Sequence, residues 1–122
     1  MDNPDGFAAL MHANLIEIFG QRDGNQRREA MRRAYAEDIV FTDPEGTVRG
    51  YGAVDERVRK VLDEAPATFI FAPDGPLYVL SAAAVALPWK FGPRSGPPAV
   101  RGIDIAAIAD GRITSLQTLL AA

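Results

Sequence analysis

Apolar residues recur at three- and four-residue spacing near the start of the chain. Phe7, Leu10, Met11, Leu15, Ile18 and Phe19 form one stripe, which ends near Gly20. That period predicts an amphipathic helix with one buried side. A second helical pattern covers residues 26–36. Its apolar edge is Ala30, Met31, Ala34 and Tyr35, with Arg27, Arg28, Arg32 and Arg33 on the other side. Glu29 stands four residues before Arg33 and can pair with it, so the arginine side reads as a solvated face. The β-branched and aromatic run 39–42 predicts a short strand. Asp43-Pro44-Glu45-Gly46 then fits a type I turn, with Pro second and Gly fourth. Helical spacing returns over residues 53–64 through Val54, Val58, Val61 and Leu62, and Pro66 ends this third helix.

Beyond Pro66 the pattern becomes strand-like. The segments 68–71, 77–91, 99–109 and 113–120 are separated by turn-rich stretches at 73–76, 92–98 and Asp110-Gly111. Such spacing predicts an antiparallel meander. Helices gathered first and strands later, without regular alternation, imply an α+β fold with the helices packed on one face of a curved sheet. No internal repeat or linker interrupts the chain, and 122 residues suit a single domain, 1–122.

Composition narrows the function classes. With 48% hydrophobic and 24% charged residues the chain reads as globular rather than disordered. A net charge of -3 argues against nucleic acid as a partner, because phosphate binding needs a basic face. Cysteine is absent, so thiol chemistry and disulfides are excluded. His12 is the single histidine, which leaves too few nitrogen and sulfur ligands for a zinc site. No metal and no cofactor are expected. The opening Met1-Asp2-Asn3-Pro4-Asp5-Gly6 has no basic region ahead of a long apolar core, so it does not read as a secretory signal. The longest uncharged apolar stretch, 75–89, contains Pro76 and Pro88 and is too short to span a bilayer comfortably. A cytoplasmic protein without a membrane partner is the expectation.

Two carboxylates carry the candidate chemistry. Asp43 ends the run Ile39-Val40-Phe41-Thr42, and Asp104 interrupts Gly102-Ile103-Asp104-Ile105-Ala106. A carboxylate among apolar neighbours loses hydration, its pKa rises, and it becomes an acid or base near neutral pH. Strand alternation aims Asp104 at the same face as Gly102 and Ala106, whose small side chains leave space for a ligand. Each aspartate also has a structural reading: Asp43 as a turn residue bonding nearby amides, Asp104 in an ion pair with Arg101, Arg112 or a helix arginine. Trp89 and Phe91 share a strand face and either line a cavity or fill the core. His12, beside Met11, flanks the pocket or serves as a wall residue.

Three motifs in order resemble the NTF2-like superfamily, in particular its SnoaL-like and ketosteroid-isomerase-like members. They are Tyr35-Ala36-Glu37-Asp38-Ile39-Val40-Phe41-Thr42-Asp43-Pro44 followed by Gly50 and a helix; Trp89-Lys90-Phe91-Gly92 closing a long strand; and Gly102-Ile103-Asp104 followed by Asp110-Gly111-Arg112-Ile113. The resemblance implies a cystatin-like cone, a bent sheet wrapped around a long helix with a pocket inside. In an isomerase-like reading Asp43 matches the family's general base, and Asp104 matches a protonated carboxyl that donates to the enolate; that isomerase is a standard worked case of two carboxyls tuned apart. In a polyketide-cyclase-like reading Asp104 alone is the acid/base. The helical tyrosine of the isomerases has no counterpart in Leu15-Ile16-Glu17-Ile18-Phe19. Tyr35, Tyr51 and Tyr78 remain as hydroxyl donors. His12, Tyr35, Phe41, Trp89 and Phe91 are the candidate substrate-binding residues, for a small hydrophobic ligand. A limonene-type epoxide hydrolase ranks lower, since Arg101 and Asp104, three apart, point to opposite strand faces unless Gly102 bulges. The competing class is a non-catalytic binding or assembly domain. A small-residue surface at Ser81-Ala82-Ala83-Ala84-Val85-Ala86 suits packing against a second copy, and the resemblance implies a homodimer through the sheet.

Overall fold

The computed structural model describes residues 4–122. Met1, Asp2 and Asn3, on which much of the signal-peptide reading falls, lie outside the described residues. Helix α1 (Pro4–His12) runs directly into a π-helical segment, Ala13–Phe19. The predicted stripe is buried at Phe7, Met11, Leu15, Ile18 and Phe19. Asn14 is fully buried beside them, at the start of the wider winding; such segments recur at functional sites.

Helix α2 (Gly24–Ala34) is capped by Asp23, whose side chain accepts from the Gln26 amide at 3.0 Å. It ends two residues before the predicted limit because Tyr35 and Ala36 already belong to a strand. The arginine side is not uniformly solvated. Arg27 is buried, and its Nε lies 2.6 Å from Asp55 Oδ1 on helix α3 (Tyr51–Glu64). Arg28 reaches the other oxygen of Asp55 at 3.2 Å. Glu29 pairs with Arg32 rather than Arg33, and Arg33 pairs with Glu17 on the first helix. Helix α3 turns Val54, Val58 and Leu62 inward, as their spacing predicts.

Seven strands form one sheet: β1 (Tyr35–Asp43), β2 (Gly46–Arg49), β3 (Phe69–Pro73), β4 (Tyr78–Ser81), β5 (Ala84–Pro93), β6 (Val100–Ala109) and β7 (Arg112–Leu120). The order is β2-β1-β7-β6-β5-β3, and β4 shares with β3 the outer edge of β5. β1 and β7 run parallel; the other pairs are antiparallel. The expected α+β architecture is therefore present, with corrections at β1–β2 and at residues 77–91. β1 starts four residues early, and β2 pairs with it across the Pro44-Glu45 turn. Residues 77–91 make two strands, because the chain reverses at Ala82-Ala83, where Ser81 Oγ accepts from the Ala83 amide at 3.2 Å. Asp110-Gly111 is the predicted two-residue hairpin, with both φ angles positive, +54° and +74°.

The core lies between the helices and the inner face of the sheet, where Tyr35, Ile39, Phe41, Val85, Leu87, Ala106, Ile113 and Leu116 meet the helical stripes. Among the described residues no helix is long and apolar enough to cross a membrane.

Candidate functional site

A cavity of about 250 Å³ opens into this inner face. Phe19 and Leu15 of the first helix, Phe41 of β1, Phe71 of β3 and Trp89 and Phe91 of β5 form its apolar interior. Phe71 stacks on Phe91 with ring centres 4.1 Å apart, and Trp89 meets Phe71 edge-on at 5.4 Å. The rim consists of Asp43, Pro44 and Glu45 at the β1–β2 turn, Val61 of α3, Val100 of β6 and Leu120 of β7.

Asp104 and Thr118 are the polar groups on the sheet wall of the cavity. Strand register sets them side by side, since Asp104 of β6 pairs with Thr118 of β7. Asp104 is 4% exposed. Its Oδ1 accepts from Trp89 Nε1 at 2.9 Å and Thr118 Oγ1 at 2.8 Å; its Oδ2 accepts from Asn14 Nδ2 at 3.2 Å. All three donors are neutral, so burial dominates and raises the carboxyl from 3.8 to about 6, while the bonds from Thr118 and Trp89 pull it down. Tyr35 donates its hydroxyl to Asn14 Oδ1, fixing the amide that holds Asp104. Burial, and then the charge of Asp104, keep that hydroxyl well above its ordinary 10, so Tyr35 stays protonated.

Gly102 explains how Trp89 reaches Asp104. The two residues are opposite each other on β6 and β5, and a Cβ at Gly102 would collide with the indole ring and the Leu119 carbonyl. The space at Gly102 therefore holds the indole, and not a ligand as its small size suggests in the sequence.

Asp43 lies on the rim. Its Oδ1 accepts the Glu45 amide at 2.9 Å and the guanidinium of Arg57 on α3, so the turn role is present together with an ion pair. Glu45 is tied to Lys60 at 3.1 Å, one helical turn after Arg57. The five candidates Asp43, Asp104, Phe41, Trp89 and Phe91 thus border one cavity. Two others do not. His12 is exposed and off the cavity wall, because successive helical residues turn by about 100° and Met11 takes the inward position. Tyr35 is fully buried behind Asn14 and supports the site from outside the cavity.

Several alternatives are corrected by the same geometry. Among the described residues Asp104 has no ion pair: Arg101 turns to the outer face toward Asp74 at 3.5 Å, and Arg112 donates to the Arg32 and Tyr35 carbonyls. The irregularity in β6 falls at Ala107/Ile108 and not at Gly102, so no bulge brings Arg101 beside Asp104. Tyr51 donates to the Tyr35 carbonyl at 2.9 Å, and Tyr78 is exposed. Among the described residues no three His, Asp or Glu side chains are grouped to hold a metal ion.

Asn14 and Thr118 are the site residues that sequence reasoning missed. Thr118 had a signal off by one residue: regular pairing through the Asp110-Gly111 hairpin sets Gln117 opposite Asp104, and the register shift at Ala107/Ile108 puts Thr118 there instead. Asn14 had a weaker one, a polar residue adjoining the apolar stripe.

The sequence model of the SnoaL-like domain matches residues 12–116. The chain belongs to the SnoaL-like family. Among solved structures, a proposed isomerase of that family from Agrobacterium tumefaciens str. C58 superposes with a TM-score of 0.86 at 18% identity, covering 97% of this chain and 99% of that one. A protein of unknown function with a cystatin-like fold from Methylobium petroleophilum PM1 gives 0.75 at 13% identity, over 98% and 78%. A proposed polyketide cyclase from Sinorhizobium meliloti gives 0.69 at 21% identity, over 97% and 96%. These likenesses establish the NTF2-like, cystatin-like fold. No curated protein matches the sequence.

Proposed function

We propose that the protein is a cofactor-independent acid/base enzyme for a small hydrophobic carbonyl compound, an isomerase or a cyclase. The observation that carries this reading is a buried carboxylate, Asp104, facing an aromatic cavity without a counter-charge among the described residues. Its raised pKa, about 6, makes it a base that is largely ionised at neutral pH yet strong enough to take a proton. Asp104 removes a proton from the carbon beside the carbonyl; the electron pair of the broken C–H bond becomes an enolate. Return of that proton from Asp104 to another carbon isomerises the compound; alternatively, attack of the enolate carbon on a second carbonyl closes a ring, and the alkoxide left by the opened C=O bond takes the proton back from Asp104.

Asp104, rather than Asp43, is assigned the base. Asp43 is already engaged by Arg57 and by a backbone amide, whereas the three donors around Asp104 suit its ionised form. That assignment follows the cyclase-like pattern more closely than the isomerase-like one. The epoxide-hydrolase reading loses its arginine, because Arg101 faces away.

The same reading takes the chain as a cytoplasmic homodimer through the outer face of the sheet. Support comes from the uncharged ladder Leu119, Ile103 and Pro88 beside Gln117, Ile105 and Ala86, with Ile103 and Leu119 exposed. A non-catalytic binding domain would keep the dimer and the cavity but not the chemistry.

The test is deuterium exchange in heavy water, followed by proton NMR, at carbons beside the carbonyl in small cyclic ketones and 1,3-diketones. Exchange above the buffer rate that disappears in Asp104→Asn supports the proposal. An absence of catalysed exchange across the panel, with native circular dichroism, leaves the binding domain as the function.

A further inference from the structure

Among the described residues, Asp104 is the charge at the cavity that has no opposite partner. The charged side chains that line it are Asp43, Glu45 and Asp104, all acidic. The cations nearest the rim are already committed, Arg57 to Asp43 and Lys60 to Glu45. Around Asp104 itself the first helix presents Asn14, β1 presents Tyr35 behind it, β5 presents Trp89 and β7 presents Thr118. None of these is cationic, and Tyr35 is the titratable one. An anionic ligand would bring a second negative charge against a desolvated carboxylate, which is repulsive at short range in a medium of low dielectric.

Shape adds a second restriction. The stacked Phe71–Phe91 pair and the edge of Trp89 offer flat apolar surfaces, which favour planar rings. The volume of about 250 Å³ lies below the roughly 300–1,000 Å³ of most ligand cavities, so one or two rings fit better than a large polycycle.

We infer that the site takes an uncharged, planar one- or two-ring compound bearing one acidic hydrogen, binds it still protonated with that hydrogen directed at Asp104, and refuses carboxylates of the same size. This inference rests on the reading of Asp104 as the base of the site. It fixes the state in which the ligand enters: Asp104 accepts the hydrogen bond, and the proton stays on the ligand until chemistry begins. The donor role suggested by isomerase resemblance would instead have Asp104 hold the proton and the ligand carry the charge.

The two arrangements differ in colour. 4-Nitrophenol is partly ionised at neutral pH; its anion absorbs visible light and its neutral form does not. Titration of the protein with 4-nitrophenol is followed in two ways, by quenching of the single tryptophan, Trp89, and by the visible band. Benzoate is the anionic control. Expected are saturable quenching, loss of the visible band on binding, benzoate weaker by at least about 100-fold, and binding at least about tenfold weaker in Asp104→Asn. Persistence or growth of the visible band in the bound state overturns the inference by making Asp104 the donor, while leaving an acid/base site. Benzoate binding within about tenfold of 4-nitrophenol, or failure of both to bind, also overturns it. The deuterium-exchange assay uses unrelated probes, so it decides the acid/base reading separately.

Discussion

Replacing Asp104 by Asn tests the electrostatics of the site in the absence of any substrate. The carboxyl titrates near 3.8 when unfolded and near 6 when folded. Between those values the folded chain holds a proton that the unfolded chain has released, so folding stability falls as pH rises through the window. The loss is absent well below 3.8 and complete above about 6, where it amounts to about 3 kcal/mol. Asp104 is 4% exposed, so solvent screening removes little of this. Asparagine has the same shape and does not titrate. It brings a separate cost of roughly 1–3 kcal/mol, because its amide nitrogen faces the donor of Asn14, but that cost does not vary with pH. The stability difference between the two proteins should therefore shift by about 2 kcal/mol in favour of Asp104→Asn between about pH 4.5 and pH 7. Urea unfolding of both proteins at the two pH values measures it, and the subtraction removes other titrating groups. A difference that stays constant would refute the claim that burial dominates at Asp104. A variant that loses ground as pH rises would show a carboxylate stabilised by charge.

Four other outcomes follow from particular contacts. Gly102→Ala should displace the Trp89 indole from Asp104 and cost about 1–3 kcal/mol, read as a lower Tm with a red-shifted tryptophan emission; unchanged emission would contradict the packing described. Arg27→Met leaves Asp55 with only the more exposed Arg28 and should cost about 2–3 kcal/mol in urea unfolding, whereas a solvated arginine would cost almost nothing. For any carbon acid that the protein turns over, kcat/KM should rise about tenfold per pH unit below about 6 and level off above it, as expected of a base that must lose its proton; a plateau below about 6 and a fall above it would assign Asp104 the role of acid. Ile103→Lys should yield a monomer in sedimentation experiments with the cavity intact, and an unchanged sedimentation coefficient would remove the proposed sheet-face dimer.

Much of the fold was legible because burial in this chain follows local period. Phe7, Met11, Leu15 and Ile18, and later Val54, Val58 and Leu62, face inward as their spacing predicts. What the period could not show depended on partners distant in sequence. Arg27 looks like its arginine neighbours until α3 places Asp55 against it, 28 residues on. Strand β2 is short and largely exposed, with no alternation to mark it. The reversal at Ala82-Ala83 uses no Gly, Pro or Asn and hides within an alanine run. At the site, Asp104 announced itself as a carboxylate among isoleucines, but Asn14 reaches it across 90 residues. His12 was misjudged by a single helical step, and Gly102 by the assumption that a small residue leaves room for a ligand when it leaves room for tryptophan.

The β1–β2 turn and the α3 residues that tether it, Arg57 and Lys60, form one short stretch of chain at the cavity entrance. Asp104 and its partners Trp89 and Thr118 belong to another stretch, on β5, β6 and β7, with Asn14 joining them from the first helix. The entrance and the buried carboxylate are thereby encoded in separate parts of the gene. An exchange of residues 43–61 would therefore reshape the entrance and leave Asp104, Asn14, Trp89 and Thr118 in place, so one scaffold can vary what reaches its buried carboxylate.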